Sequence, residues 1–323
     1  MSVIISGKIP FRLSGFNIFL VPALLLGTHS HARMIDKTPT PPVTENSQAL
    51  PFVPSNQSDT ANVTLQLEAR MTEGGPVIKN GLIWRIFTPE LGANNKVSLI
   101  AYLEGGPVEF NLAPGNYLVH AAFGKAGIIK RITLKPGKNL SETIVLNAGG
   151  IKLNATLPDG KINESQLKFS IYADANENNE QSLIIPNVKP ETVVRLSAGV
   201  YHVVSNYGTA NATVRSDIRV EAGKLTEVTI QHRAAQITLK LVRQKGSEAL
   251  ADTSWAIMND SGDIVREIVN AYAYVVLAEG DYVAVAKNKD QIYQKEFSVS
   301  SGKDEEIDVL AIPQNSADED AID

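Results

Sequence analysis

The residues of this sequence that could bind a metal or move a proton are few and scattered. Its five histidines are His29, His31, His120, His202 and His232. The first two lie in an N-terminal stretch that reads as an export signal. His120 and His202 fall five and three residues after the glycines Gly115 and Gly199, on corresponding expected strands and opposite a tyrosine face. That placement predicts two solvent-facing strand histidines in separate repeats. No His-Glu-x-x-His or cysteine–histidine spacing occurs, and there is no cysteine at all, so thiolate metal sites, disulfides and thiol nucleophiles are excluded. Asp174 to Glu180 alternates oxygen-bearing side chains as calcium loops do. It has Asn179 where such a loop needs glycine and Ile185 where it needs glutamate, so a polar hairpin loop is expected, like Asn259-Asp260-Ser261-Gly262. Gly124-Lys125 and Gly160-Lys161 lack the upstream glycine of a phosphate loop, and no Gly-x-Ser-x-Gly elbow exists. The expectation is no catalytic residue, no metal and no cofactor. Two loops, Phe123-Gly124-Lys125 and Tyr207-Gly208-Thr209, pair an aromatic with glycine. Phe123 and Tyr207 are therefore candidate ligand-loop residues for stacking on a sugar, against plain turn chemistry as the competing reading.

The elements that would position such residues are short and β-like. The chain has 323 residues, 43% of them hydrophobic and 20% charged, which suits two or three domains with buried cores. Lys8 and Arg12 are the only charges in the first 32 residues, so losing that stretch takes the net charge from −5 to −7. A mildly acidic chain without a basic stripe is not expected to bind nucleic acid.

The N-terminus has the three parts of a secretory signal. Lys8 and Arg12 form the positive region and Phe16 to Leu26 is an apolar run of 11 residues. Ser30-His31-Ala32 puts small residues at a cleavage site. A membrane span needs about 20 apolar residues, so cleavage after Ala32 is expected, with no integral span afterwards. Residues 33–62, with Pro39, Pro41, Pro42, Pro51 and Pro54 among Ser, Thr, Asn and Gln, read as a disordered linker, and residues 313–323 as an acidic disordered tail.

Between them the sequence repeats three times. Leu112-Ala113-Pro114-Gly115-Asn116-Tyr117 returns as Leu196-Ser197-Ala198-Gly199-Val200-Tyr201 and as Leu277-Ala278-Glu279-Gly280-Asp281-Tyr282. About thirty residues upstream of each lies an aromatic strand centred on Trp84, Phe169 or Trp255, and downstream lies a turn glycine, Gly137, Gly223 or Gly302. Repeats of about 80 residues exceed the usual solenoid unit. Runs such as Val63-Thr64-Leu65-Gln66-Leu67 and Ile237-Thr238-Leu239-Lys240-Leu241 alternate with period two. The expected fold is all-β: three tandem antiparallel β-sandwich domains at 63–149, 150–233 and 234–312.

The signature has a physical reading. Its glycine is expected at a sharp turn with positive φ. Its tyrosine fills the end of the core while its hydroxyl reaches a backbone group, like the tyrosine corner of Greek-key sandwiches. Trp84, Phe169 and Trp255 are expected as the large core residue of each copy.

The pattern leucine, two residues, glycine, one residue, tyrosine, then alternating apolar positions resembles the carboxypeptidase regulatory-like and Cna-B-type modules, over roughly residues 63–312. The resemblance implies a transthyretin-like β-sandwich that serves as spacer, stalk, adhesin segment or ligand-binding accessory. Some Cna-B modules carry a Lys–Asn isopeptide bond. Here Glu68 stands on the first strand of copy one, Lys152 and Lys240 on the others, and the final strands Glu227-Val228-Thr229-Ile230 and Glu306-Ile307-Asp308-Val309 offer no asparagine, so no such crosslink is expected.

These readings converge on an exported, non-enzymatic bacterial protein of the periplasm or cell envelope, with secretion as the alternative, structural or protein-binding, with an unknown envelope protein or polysaccharide as partner. Polysaccharide binding would show as exposed aromatics clustered on one face. An accessory subunit of an envelope enzyme would show as a pocket of convergent titratable groups.

Overall fold

The computed structural model describes residues 3–6, 62–91, 95–173 and 182–312. The apolar signal run, the cleavage site at Ala32, the linker up to residue 61, the Asp174–Glu180 loop and the acidic tail lie outside the described residues.

Alternation of apolar and polar side chains makes strands, and the turns between them supply the order. One strand, β1 (Val3–Ser6), precedes the repeats. Module 1 contains β2 (Val63–Arg70), β3 (Leu82–Leu91), β4 (Val97–Gly105), β5 (Val108–Leu112), β6 (Gly115–Phe123), β7 (Ala126–Leu134) and β8 (Leu140–Val145). Module 2 contains β9 (Ala148–Thr156), β10 (Leu167–Ala173), β11 (Leu183–Val188), β12 (Val193–Ser197), β13 (Gly199–Tyr207), β14 (Thr213–Val220) and β15 (Leu225–Gln231). Module 3 contains β16 (Ala234–Val242), β17 (Thr253–Asn259), β18 (Ile264–Val269), β19 (Tyr272–Ala278), β20 (Gly280–Asn288), β21 (Gln291–Val299) and β22 (Glu305–Leu310).

Each module repeats one topology. A three-stranded sheet runs β5-β2-β8, β12-β9-β15 or β19-β16-β22, and a four-stranded sheet runs β4-β3-β6-β7, β11-β10-β13-β14 or β18-β17-β20-β21. The first and last strands of each module pair in parallel, and every other pair within the modules is antiparallel. β1 lies antiparallel along β15, with Val3 opposite Ile230; it belongs to the stretch expected to be cleaved, so the sandwich of the mature protein is counted without it. The protein is thus all-β, three seven-stranded sandwiches in tandem.

Each sandwich encloses its own core. Trp84 and Phe169 are fully buried and Trp255 is 2% exposed; burying a side chain of this size contributes about 3 kcal/mol. The indole N–H of Trp84 donates to the Gly106 carbonyl at 2.8 Å, and that of Trp255 to the Asn270 carbonyl at 3.0 Å. The tyrosine corner is present three times. Tyr117, Tyr201 and Tyr282 each donate a 2.8 Å hydrogen bond to the carbonyl four residues earlier, Ala113, Ser197 and Ala278. Burial pushes all three hydroxyl pKa values up.

The expected positive φ at the signature glycine is corrected in two copies of three. Gly115 and Gly199 fall outside the left-handed region, and only Gly280, at φ +153°, lies in it. A Cβ at Gly115 would meet the Tyr117 ring at an ordinary 3.7 Å. The turn glycines downstream are the left-handed ones: Gly137, Gly223 and Gly302 have φ of +65°, +73° and +74°.

Candidate interaction surface

The two loop aromatics singled out from sequence lie at the joints between modules. Phe123 is 8% and Tyr207 2% exposed. The turn after Phe123 seats on β12 of module 2. The Lys125 N–H donates to the Arg195 carbonyl at 3.0 Å, the Arg195 guanidinium lies 4.4 Å from the Phe123 ring centre, and a Cβ at Gly124 would come within 2.9 Å of Arg195 Cβ. The turn after Tyr207 seats on β19 of module 3 in the same way, where a Cβ at Gly208 would come within 2.7 Å of Val276 Cβ. Arg195 and Val276 hold the same place, one residue before the signature leucine. Asn211 completes the second joint: its Nδ2 donates to the Tyr282 hydroxyl at 2.8 Å and its Oδ1 accepts the Ala278 N–H at 3.0 Å. A further contact recurs at both joints. Thr72 of module 1 meets Gly223 of module 2, and a Cβ at Gly302 of module 3 would fall onto the Asp159 carbonyl of module 2. In module 3 the corresponding turn is Asn288-Lys289, which is exposed or half-exposed.

Beside the second joint sits a buried pair that sequence reasoning did not mark. Ser205 is fully buried and His232 is 1% exposed, with Oγ and Nε2 2.7 Å apart. The His232 ring packs edge-on to Tyr207. Burial holds the imidazole pKa down at about 4. A lone histidine between two apolar strands carries no sequence signal, because the cavity around it is made by the fold.

His120 and His202 lie on the outer faces of separate four-stranded sheets and are not brought together. In module 1 one row crosses the sheet as Tyr102, Arg85, His120 and Ile129. Burial first, and the nearby Arg85 cation second, lower the His120 pKa. Arg85 also lies over the Tyr102 ring, 5.5 Å from its centre. In module 2 the row is Leu183, Tyr172, His202 and Asp217, with His202 Nδ1 2.8 Å from Asp217 Oδ1. Among the described residues no group of three or more His, Asp or Glu could hold a metal ion. Lys152 and Lys240 face outward, not into the core. Lys152 Nζ lies 2.8 Å from Glu227 and 3.1 Å from Glu191, and Lys240 Nζ lies 2.5 Å from Glu306 and 3.3 Å from Asp308.

The surface with an unsatisfied character is β4. Among the described residues this strand pairs only with β3, so its other edge offers backbone groups without a described partner. Leu99 is 53%, Ile100 44%, Tyr102 44% and Leu103 39% exposed, and Glu104 is its only carboxylate. The equivalent edge strands are guarded: β11 contains Pro186, and β18 carries Arg266 and Glu267. All three edges are irregular at a similar point, in β4 around Ile100, so the lack of both a proline and a pair of charges distinguishes β4. Ile128 and Ile129 are exposed on β7, the opposite edge strand of the same sheet.

Residues 236–311 match the model of the Rhizobiales growth-associated tandem repeat domain. No curated protein shows significant similarity to the chain. Among solved structures, the Bacillus anthracis TIE protein is 14% identical, with 77% of this chain covered and 51% of that one, at a TM-score of 0.23. This chain thus spans about half the length of that protein. The Streptococcal ancillary pilin is 12% identical, with 78% of this chain and 100% of that chain covered, at a TM-score of 0.27. GBS52, the minor pilin of Streptococcus agalactiae, is 10% identical, with 51% of this chain and 97% of that chain covered, at a TM-score of 0.28.

Proposed function

We propose that this is an exported, non-enzymatic protein of the bacterial cell envelope, whose coupled β-sandwiches present the β4 edge of module 1 to a protein partner. The three-part N-terminus supports export, and the match of module 3 to a repeat domain described from Rhizobiales agrees with a bacterial source. The observation that carries the interaction reading is the unguarded apolar edge Val97–Gly105. An extended segment that adds to such an edge gains backbone hydrogen bonds, and side chains on alternate sides of the strand give it specificity. The joints serve the same end. Glycine turns seated on the next module, and Asn211 bonded to Tyr282, limit movement between neighbours, so a surface on one module is held in place by the others.

The test is a pull-down from envelope extract with the mature protein and with a Leu99→Lys/Leu103→Lys variant. Lysine on an edge strand is a known block to strand pairing. The expected result is a partner retained by the wild type and lost by the variant. An identical set of bound proteins for both would overturn the assignment of β4.

A further inference from the structure

A second surface, independent of β4, lies on module 3. Tyr272 and Tyr274 alternate with the buried Ala273 and Val275 on β19, so both rings lie on the outer face of the sheet β19-β16-β22. Their ring centres are 6.1 Å apart with planes 19° from parallel, and Tyr274 is 63% exposed. The fold does not require them. Positions counted back from the signature leucine are Pro107 and Glu109 in module 1, and Glu191 and Val193 in module 2. Those modules form the same sheet without an aromatic there.

Tyr274 is also a wall of a cleft of about 360 Å³ at the joint between modules 2 and 3. Module 2 contributes Ser165, Gln166, Lys168 and Thr209 to it, and module 3 contributes Gln236. Gln166 Nε2 donates to Gln236 Oε1 at 3.0 Å across the joint. The cleft thus joins exposed ring surface to several neutral hydroxyl and amide groups, the combination found where apolar surface and placed polar groups converge on a small ligand.

We propose that this cleft binds a neutral saccharide, with one pyranose ring stacked by its C–H face on Tyr274 and its hydroxyls bonded to the amides and hydroxyls of the joint. The charge argues for a neutral sugar. On the same sheet face Glu306 and Asp308 neutralise Lys240, and Lys168 is the only cation lining the cleft. An acidic polysaccharide would find no cluster of unneutralised cations there. Tyr272 extends the ring surface along the strand and offers room for a second sugar unit.

The experiment is affinity electrophoresis of the mature protein through gels containing soluble neutral glucan, galactomannan or acidic alginate. At least one neutral polysaccharide should retard the wild type. Tyr274→Ala should weaken that retardation about tenfold, the loss of one ring stack, while Tyr274→Phe should retain it. Ile292→Ala removes an exposed apolar side chain from β21, elsewhere on module 3, and should leave retardation unchanged. Trp255 fluorescence serves as the check that module 3 is folded in each variant. No retardation by any neutral polymer, equal retardation of Tyr274→Ala and wild type, or retardation by alginate alone that salt abolishes would each overturn the proposal.

Discussion

His232 makes the stability of module 2 depend on pH. Its ring is 1% exposed against Ser205, and burial lowers its pKa from the ordinary 6.5 to about 4. The unfolded chain therefore binds a proton between these values and the folded chain does not. Stability is complete above about pH 6.5 and falls as the pH drops towards 4, because unfolding is then coupled to proton uptake. The full span is worth about 3 kcal/mol at 1.36 kcal/mol per pKa unit, and about 2 kcal/mol of it is lost by pH 5. Tryptophan fluorescence is blind to this change, since the chain's two tryptophans, Trp84 and Trp255, lie in modules 1 and 3. Hydrogen exchange read by mass spectrometry on peptides from β13 and β15 is the suitable assay. After correction for intrinsic rates, protection there should fall about 30-fold from pH 7 to pH 5. His232→Gln keeps a polar partner for Ser205 but cannot titrate, so it should flatten that slope whatever its effect on absolute stability. Carboxylates act mainly below this window: the lowered pKa values of Glu68, Glu279 and Asp308 lie under the usual carboxylate range. An equal loss of protection in the wild type and in His232→Gln would refute the reasoning.

Three other outcomes follow from the same contacts. Gly208→Ala should destabilise the joint between modules 2 and 3 by about 2 kcal/mol, because φ is +74° and the new Cβ meets Val276; Lys289→Gly, at φ +53° on the corresponding turn of module 3, should instead stabilise by about 0.5 kcal/mol, and urea midpoints separate the two. Tyr117→Phe should cost about 1 kcal/mol for one corner hydrogen bond, and Tyr282→Phe more, because Asn211 also loses its acceptor; parallel urea titrations read the difference. N-terminal sequencing of protein taken from the native envelope should begin at Arg33, and a first residue within the stretch up to Leu26 would remove the assigned cleavage after Ala32.

The three tyrosine corners and the three core aromatics were legible in the sequence because local rules produce them. A Leu-x-x-Gly-x-Tyr run fixes a short turn and a ring that folds back four residues, and period two decides which side of the strand is buried. The glycine was read for the wrong reason at Gly115 and Gly199: nearby sequence shows that a turn occurs, but φ depends on how the two strands meet. The joints were illegible for a different reason. Phe123 and Gly124 find their partner, Arg195, in the next module, and a pattern of local type cannot reveal a contact made across domains. For the same reason Tyr272 and Tyr274 read as ordinary strand residues. Among the described residues β19 pairs with β16 alone, and the burial of Ala273 and Val275 against the core is what turns both rings outward.

Residues in equivalent places of the three modules follow their neighbours, not the fold. The position of Gly124 and Gly208 is Lys289 in module 3, and that of Arg195 and Val276 is Asn111 in module 1. All three turn residues adopt positive φ, at +66°, +74° and +53°, so the backbone demand is the same in each copy. The left-handed conformation alone costs a residue with a Cβ about 1–2 kcal/mol, and Lys289 bears it. What Lys289 does not meet is a neighbouring module: a Cβ at Gly124 or Gly208 would come within 3 Å of the Cβ of Arg195 or Val276, whereas the Lys289 turn is solvent-exposed. Glycine is therefore required at the joints by contact and merely favoured by conformation. The same reasoning applies to the edges. β4, β11 and β18 share a place in the sheet and an irregular register, yet only β4 lacks both proline and a pair of charges. Since the fold tolerates those guards in two copies, the fold itself does not require their absence from the third.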